Sequence, residues 1–293
     1  MEEGKVNLFI VGAMKAGTTS FVEMLSQHPD IYVPPIKEPH YFIEKLPKSL
    51  YEPSRFFNLD SYFDKDFPKS LHITKVEKKA HYKKLYSLAK NEKYCVDAST
   101  AYLHAPGVSE AIYNYNPSAK IIILLRDPFK RAYSHYKMDL GLGRTSEKFE
   151  TLIEKEVKQY EANSLPWNSY LGMSFYDRQV KSFIEKFEHV LVIQLEDLLN
   201  NSKNELKTLS DFLEISTFRV TEGSTKNISR TLRFQKVFFF LKRVGLKDYF
   251  SKIIGTKTRQ YLFRISSKKA SETIELDEKL KLKVLEIFKS ETM

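Results

Sequence analysis

Residues 6–11, VNLFIV, form an apolar run, with Asn7 its one polar residue, that stops at Gly12. A run without polar alternation reads as a strand buried on both faces, the kind that a parallel sheet contains. Residues 18–28 follow with Phe21, Met24 and Leu25 at helical spacing, which sets the order strand, glycine-containing loop, helix. Further strands are expected at 31–33, where Pro34-Pro35 stops the run, and at 94–97, 120–126 and 190–194. Helices are expected at 106–115, 127–140, 149–161, 176–187, 202–213 and 276–288, and loops with short helices across the aromatic-rich stretch 44–79. Strands alternating with helices predict an α/β, three-layer fold with a central parallel sheet flanked by helices. No linker or repeat divides the chain, so residues 1–293 are read as one domain.

Gly12-Ala13-Met14-Lys15-Ala16-Gly17-Thr18-Thr19-Ser20 joins the first strand to the first helix. Backbone N–H groups in such a loop, with the positive end of the helix, receive an anion. The two glycines have the spacing of a Walker A loop, but Thr18 stands where its lysine would be, and the lysine lies inside the loop at Lys15. The arrangement is P-loop-like, yet it argues against an ordinary ATP- or GTP-hydrolysing enzyme.

Two other segments carry chemistry. The strand at 120–126 ends in Arg126-Asp127-Pro128, and Ser134 follows on the next helix. The carboxyl end of a strand is where open α/β sheets bind ligands, and an arginine fork can bond two phosphate oxygens. Pro35 to Phe42 holds Glu38 and His40, either of which can take a proton from a hydroxyl.

Together these segments resemble the PAPS-dependent sulfotransferases, which move a sulfuryl group from 3'-phosphoadenosine 5'-phosphosulfate (PAPS) to a hydroxyl or amine. GAMKAGTTS is similar to their 5'-phosphosulfate loop, RDPFKRAYSHY to their 3'-phosphate segment, and KEPHYF to the KExHFF segment of the glycosaminoglycan enzymes. The resemblance covers residue 6 to about 230. It implies that Lys15 contacts the 5'-phosphosulfate and its bridging oxygen. Ala16, Gly17, Thr18, Thr19 and Ser20 would surround the phosphate and sulfate oxygens, and Arg126 and Ser134 would bind the 3'-phosphate. Glu38 would be the general base of an in-line displacement, Lys37 a sulfate contact, and His40 a substrate-side residue that orients the loop. Ser99 and Tyr102 match a D-x-S-x-x-Y segment that lines the acceptor side. Lys226, Asn227 and Arg230 resemble a late loop that closes over the nucleotide, although Thr231-Leu232-Arg233 replaces the usual proline-arginine after it. The KEPHYF setting points to a carbohydrate or glycoconjugate acceptor. A P-loop nucleotide-dependent kinase is the alternative, disfavoured by the missing lysine before Thr18.

Composition narrows the rest. Hydrophobic residues make up 42% of 293, enough for a core, and 47 basic against 37 acidic residues leave a net charge of +10 that favours anionic partners. No nucleic-acid module is recognisable, and no carboxylate cluster suggests a metal. Cys95 is the only cysteine, read as a buried small hydrophobe. No apolar run is long enough to span a bilayer, so a soluble cytoplasmic protein is expected. The basic, aromatic stretch 234–264 is read as helices packed on the core, with peripheral membrane contact as the other reading.

Overall fold

The apolar runs become the middle of a sheet because each can be buried on both faces. A computed structural model of the chain describes residues 5–218, 230–232, 267–269 and 276–291. Its strands are β1 (Leu8–Gly12), β2 (Ile31–Tyr32), β3 (Ile36–Glu38), β4 (Leu71–Ile73), β5 (Tyr94–Asp97), β6 (Lys120–Leu125), β7 (Val190–Gln194), β8 (Arg230–Leu232) and β9 (Ser267–Lys269). Five of them make a parallel sheet in the order β2-β5-β1-β6-β7, and all five residues of β1 are buried. β3 and β4 pair parallel as a separate ribbon, and β8 pairs antiparallel with β9.

The helices are α1 (Thr18–Leu25), α2 (Leu59–Ser61), α3 (Lys79–Leu85), α4 (Val108–Tyr115), α5 (Pro128–Gly141), α6 (Phe149–Glu161), α7 (Asp177–Ile184), α8 (Leu195–Asn200), α9 (Ser202–Leu213) and α10 (Glu278–Ser290). One apolar cluster surrounds the sheet. A second joins α5, α6 and α10 through Tyr136, Phe149, Ile153, Val284 and Phe288. The chain lays β2 and β5 on one side of β1 and β6 and β7 on the other. The crevice at the carboxyl ends of β1 and β6 is therefore where the strand order reverses, the place such sheets bind ligands.

The two helices that leave this crevice begin differently. α5 is capped: the Asp127 side chain accepts from the Lys130 N–H at 2.7 Å, and Pro128 occupies the first turn. α1 starts after Gly17 with no side-chain cap, so its first N–H groups, which a helix leaves without internal acceptors, face the crevice unclaimed by a capping side chain.

Several expected bounds shift. The helix expected at 106–115 starts at Val108, because Gly107 takes the left-handed conformation (φ 75°) just before it. The first helix ends at Leu25 rather than residue 28, and the helix expected at 176–187 is α7, Asp177–Ile184. The strand β4 lies inside the stretch expected to be loops and short helices, which also holds α2 and a π-helical turn at Tyr62–Asp66. The stretch 233–264 and residues Lys226 and Asn227 lie outside the described residues.

Replacing the α5 cap by Asp127→Ala is expected to lower the unfolding free energy by about 1 kcal/mol, read as a shift in the denaturant midpoint.

Candidate functional site

The loop after β1 is held from both sides of the sheet. Ala13 N–H donates to Leu124 O of β6 at 2.5 Å, and Leu103 N–H donates to Val11 O at 2.7 Å. Gly12 packs so tightly on the 100–103 turn that a Cβ would sit 2.7 Å from Leu103 Cβ and 3.1 Å from Thr100 O. Lys15 (φ 74°) and Gly17 (φ 81°) both take left-handed conformations, which curl the loop's N–H groups toward one concavity.

Cations converge there. Arg126 Nη1 donates to Lys15 O at 3.1 Å. Arg131, wholly buried, donates from Nε to Ser174 Oγ at 2.7 Å, from Nη2 to Tyr170 O at 2.6 Å and from Nη1 to Met14 O at 3.5 Å. Burial, then the Arg126 charge, push the Lys15 pKa down against the pull of Glu38. Among the described residues no carboxylate lies within ion-pair distance of Lys15. The loop thus holds a desolvated positive charge that an anion would balance. A phosphate- or sulfate-bearing ligand fits the loop at Lys15 and Gly17, with Thr18 and Thr19 in the first turn of α1; Arg126 lies at the β6–α5 corner and Ser134 in the middle of α5. Ser134 lies buried on α5, and Ala16 and Thr18 are buried, while Thr19 and Ser20 are half-buried.

Glu38, at the end of β3, supplies the opposite charge. It is 6% exposed. Its Oε1 accepts from Lys37 Nζ at 2.7 Å and lies 3.8 Å from His72 Nε2; its Oε2 accepts from Thr100 Oγ1 at 2.8 Å and lies 3.6 Å from His40 Nε2. Burial alone would raise the pKa, but the Lys37 charge, His40, the Lys37 hydrogen bond and His72 outweigh it and hold the carboxyl at about 2.

Behind Glu38 stands a wall built on Asp97, a residue the sequence reading left without a role. Asp97 accepts from Ser99 Oγ at 2.7 Å, Tyr82 OH at 2.8 Å and Tyr102 OH at 2.9 Å. Ser99 Oγ in turn accepts the His40 N–H at 2.9 Å, and Tyr102 OH accepts the Phe42 N–H at 3.3 Å. Burial raises the Asp97 pKa to about 6 although these donors lower it. This corrects two expectations. Ser99 and Tyr102 are fully buried and hold Asp97, so they support the acceptor side rather than line it. His40 is 1% exposed, so its place is behind Glu38; it donates from Nδ1 to Glu38 O at 3.1 Å, which turns Nε2 toward the carboxylate. Thr100, His72 and Tyr82 were missed because they share no local motif with Glu38 and come together only through the β3–β4 and β5 packing.

Residues around the site serve the frame. Tyr176 OH donates to Arg126 O at 3.0 Å, and Glu196 Oε1 accepts the Asp127 N–H at 3.3 Å. Tyr170 is buried and donates to Asp139 Oδ2 at 3.0 Å, while Trp167 is half-buried against the core. Burial, then Arg131, drop the His104 pKa to about 3, and its Nε2 faces Phe175 O at 3.0 Å. His135 is buried against the Tyr170 ring. Arg230 is described only as backbone of β8. Cys95 is buried, as expected. Among the described residues no helix is long and apolar enough to cross a membrane.

An α/β sheet with an anion-receiving loop at its reversal point and a buried carboxylate beside it defines a group-transfer class. The sequence profile of the sulfotransferase family matches residues 7–219, and the chain belongs to that family, enzymes whose sulfuryl donor is PAPS. The chain is 22% identical over 246 residues to carbohydrate sulfotransferase 15 of Mus musculus, covering 71% of this chain and 44% of that protein. It is 26% identical over 239 residues to heparan sulfate glucosamine 3-O-sulfotransferase 5 of Homo sapiens, covering 78% and 60%. The chain thus spans about half the length of these curated relatives. A crystal structure of a sulfotransferase from Alicyclobacillus acidocaldarius superposes with a TM-score of 0.59 at 30% identity, covering 83% of this chain and 92% of that one.

Because the folded Glu38 pKa is about 2 against an ordinary 4.5, the unfolded chain binds more protons in that window. Stability from Glu38 is present above pH 4.5 and lost as pH falls toward about 2. Urea melts of wild type and Glu38→Gln are expected to diverge at neutral pH and converge toward the acid end of this window.

Proposed function

We propose that this chain transfers the sulfuryl group of PAPS to a hydroxyl, or an amine, of a carbohydrate or glycoconjugate. The observation that carries the reading is a pair of opposite charges at one crevice: Lys15, desolvated and without a carboxylate partner among the described residues, and Glu38, close enough to raise the Lys15 pKa. The KEPHYF setting of Glu38 and the carbohydrate acceptors in the relatives' names support the acceptor class. PAPS supplies an electrophilic sulfur whose leaving group is a phosphate oxygen. Lys15 and the N–H groups of the loop and of α1 hold the phosphosulfate and stabilise negative charge as it develops. Arg126 and Ser134 hold the 3'-phosphate.

Glu38 takes the acceptor proton, and Lys37 sets when it can. While Lys37 bonds Glu38, the carboxylate is a weak base. An anion that competes for the Lys37 ammonium leaves a buried carboxylate with less compensation, and burial then raises its proton affinity. Thr100, whose hydroxyl donates to Glu38 Oε2 at 2.8 Å, keeps the carboxylate in place from behind.

With labelled PAPS and a panel of neutral and anionic glycans, label transfer is expected to fall by about 10²–10⁴ in Glu38→Gln, the usual worth of a general base. Lys15→Ala is expected to lose turnover by orders of magnitude as well. Full activity in Glu38→Gln would remove this residue as the base. Lys37→Met is expected to move the acidic limb of the kcat/KM profile to higher pH; an unmoved limb would separate Lys37 from the basicity of Glu38.

A further inference from the structure

At the end of β5 stands a polar hub that no step of the proposed reaction uses. Asp97 is wholly buried, and among the described residues no lysine, arginine or histidine lies within ion-pair distance of it. Its partners are three hydroxyls: Ser99 donates to Oδ1 at 2.7 Å, and Tyr82 and Tyr102 donate to Oδ2 at 2.8 and 2.9 Å. A carboxylate taken out of water with no cation beside it is costly, so packing alone gives little reason for a charge here.

Each hydroxyl has a single proton, and pointing it at Asp97 turns the lone pairs elsewhere. All three partners reach the same place, the segment just past Glu38. Ser99 Oγ accepts the His40 N–H at 2.9 Å, and Tyr102 OH accepts the Phe42 N–H at 3.3 Å. The Tyr82 ring stacks on Tyr41, with centroids 4.1 Å apart and planes 10° from parallel. Three consecutive residues, His40, Tyr41 and Phe42, are thus each held by a different partner of one carboxylate. The first of them needs holding. His40 has φ 49°, a left-handed conformation that is uncommon for a residue with a side chain and persists where the surroundings fix it. It lies two residues after Glu38 and its ring bonds Glu38 O, so its backbone angle sets the direction in which the base leaves β3.

We infer that Asp97 is a positioning residue of the transfer reaction: through Ser99, Tyr82 and Tyr102 it fixes residues 40–42 and, with them, the angle at which the Glu38 carboxylate meets the acceptor. Asp97, being buried, does not meet the acceptor itself. This deepens the proposed function and rests on Glu38 being the base.

Transfer from labelled PAPS to desulfated heparin, and release of the label to water without a glycan, tests it in two backgrounds, wild type and Glu38→Gln. In wild type, Asp97→Asn is expected to lower kcat about 10²-fold, the scale of a small misplacement at a reacting centre, with the KM for PAPS unchanged. Ser99→Ala and Tyr102→Phe, which keep the carboxylate, are expected each to lose part of this, and they carry the test if Asp97→Asn does not fold. Affinity for 3'-phosphoadenosine 5'-phosphate (PAP), the control for folding, is expected to be retained throughout. In Glu38→Gln the same substitutions are expected to change the residual rate by less than about twofold, because the group they position is gone. Equal losses in both backgrounds would overturn the inference, since the hub would then act on the fold rather than on Glu38. Wild-type kcat in all three variants would overturn it too. Wild-type turnover in Glu38→Gln would remove the base and this inference with it, whereas a slowed Glu38→Gln with additive losses removes the inference alone.

Discussion

The Arg131 guanidinium is buried completely, and its three hydrogen bonds tie two separate parts of the chain together. Ser174 and Tyr170 belong to the loop after α6, and Met14 to the loop after β1. A buried arginine is costly unless its donors are satisfied, so these segments cannot move apart without stranding a charge. The same loop is anchored on its other side by Glu156, which accepts the Tyr170 and Leu171 N–H groups at 2.9 and 2.7 Å. The loop that carries Lys15 is thereby fixed against α5 before any ligand arrives, and Arg126 closes the bracket through Lys15 O. Preorganised charge of this kind is what a reaction that develops negative charge uses.

The acidic half of the site is built in the same way. Glu38 takes its position from a three-residue parallel pairing, Ile36–Glu38 against Leu71–Ile73, too short to stand alone. Asp97 supports it through Ser99 and Tyr102, whose oxygens accept the N–H groups of His40 and Phe42 just past β3. Thr100, on the same turn, donates to Glu38 directly, and its carbonyl oxygen would lie 3.1 Å from a Cβ at Gly12. The turn between 99 and 103 therefore couples the loop after β1 to Glu38.

The parts legible in the sequence were those whose signal is local. The runs at 6–11 and 120–125 were legible as buried strands, and the loop between Gly12 and Ser20 as the turn from the first strand into the first helix. The β3–β4 pairing was hidden because Leu71-His72-Ile73 is short, half exposed and surrounded by polar residues. Ser99 and Tyr102 were identified as residues of the site, but whether a hydroxyl faces a cleft or a buried carboxylate depends on Tyr82 and Asp97 meeting across the fold. His72 and Thr100 carry no spacing relative to Glu38 that a linear reading could detect.

The central claim is that the crevice at β1 and β6 is shaped for a nucleotide with a 3'-phosphate and a 5'-phosphosulfate. Calorimetric titration with PAP, set against ADP and adenosine 5'-phosphosulfate, tests it most directly. The account predicts binding that depends on the 3'-phosphate and is lost in Arg126→Ala while the fold persists. Equal or tighter binding of ADP, or PAP binding indifferent to Arg126, would contradict it.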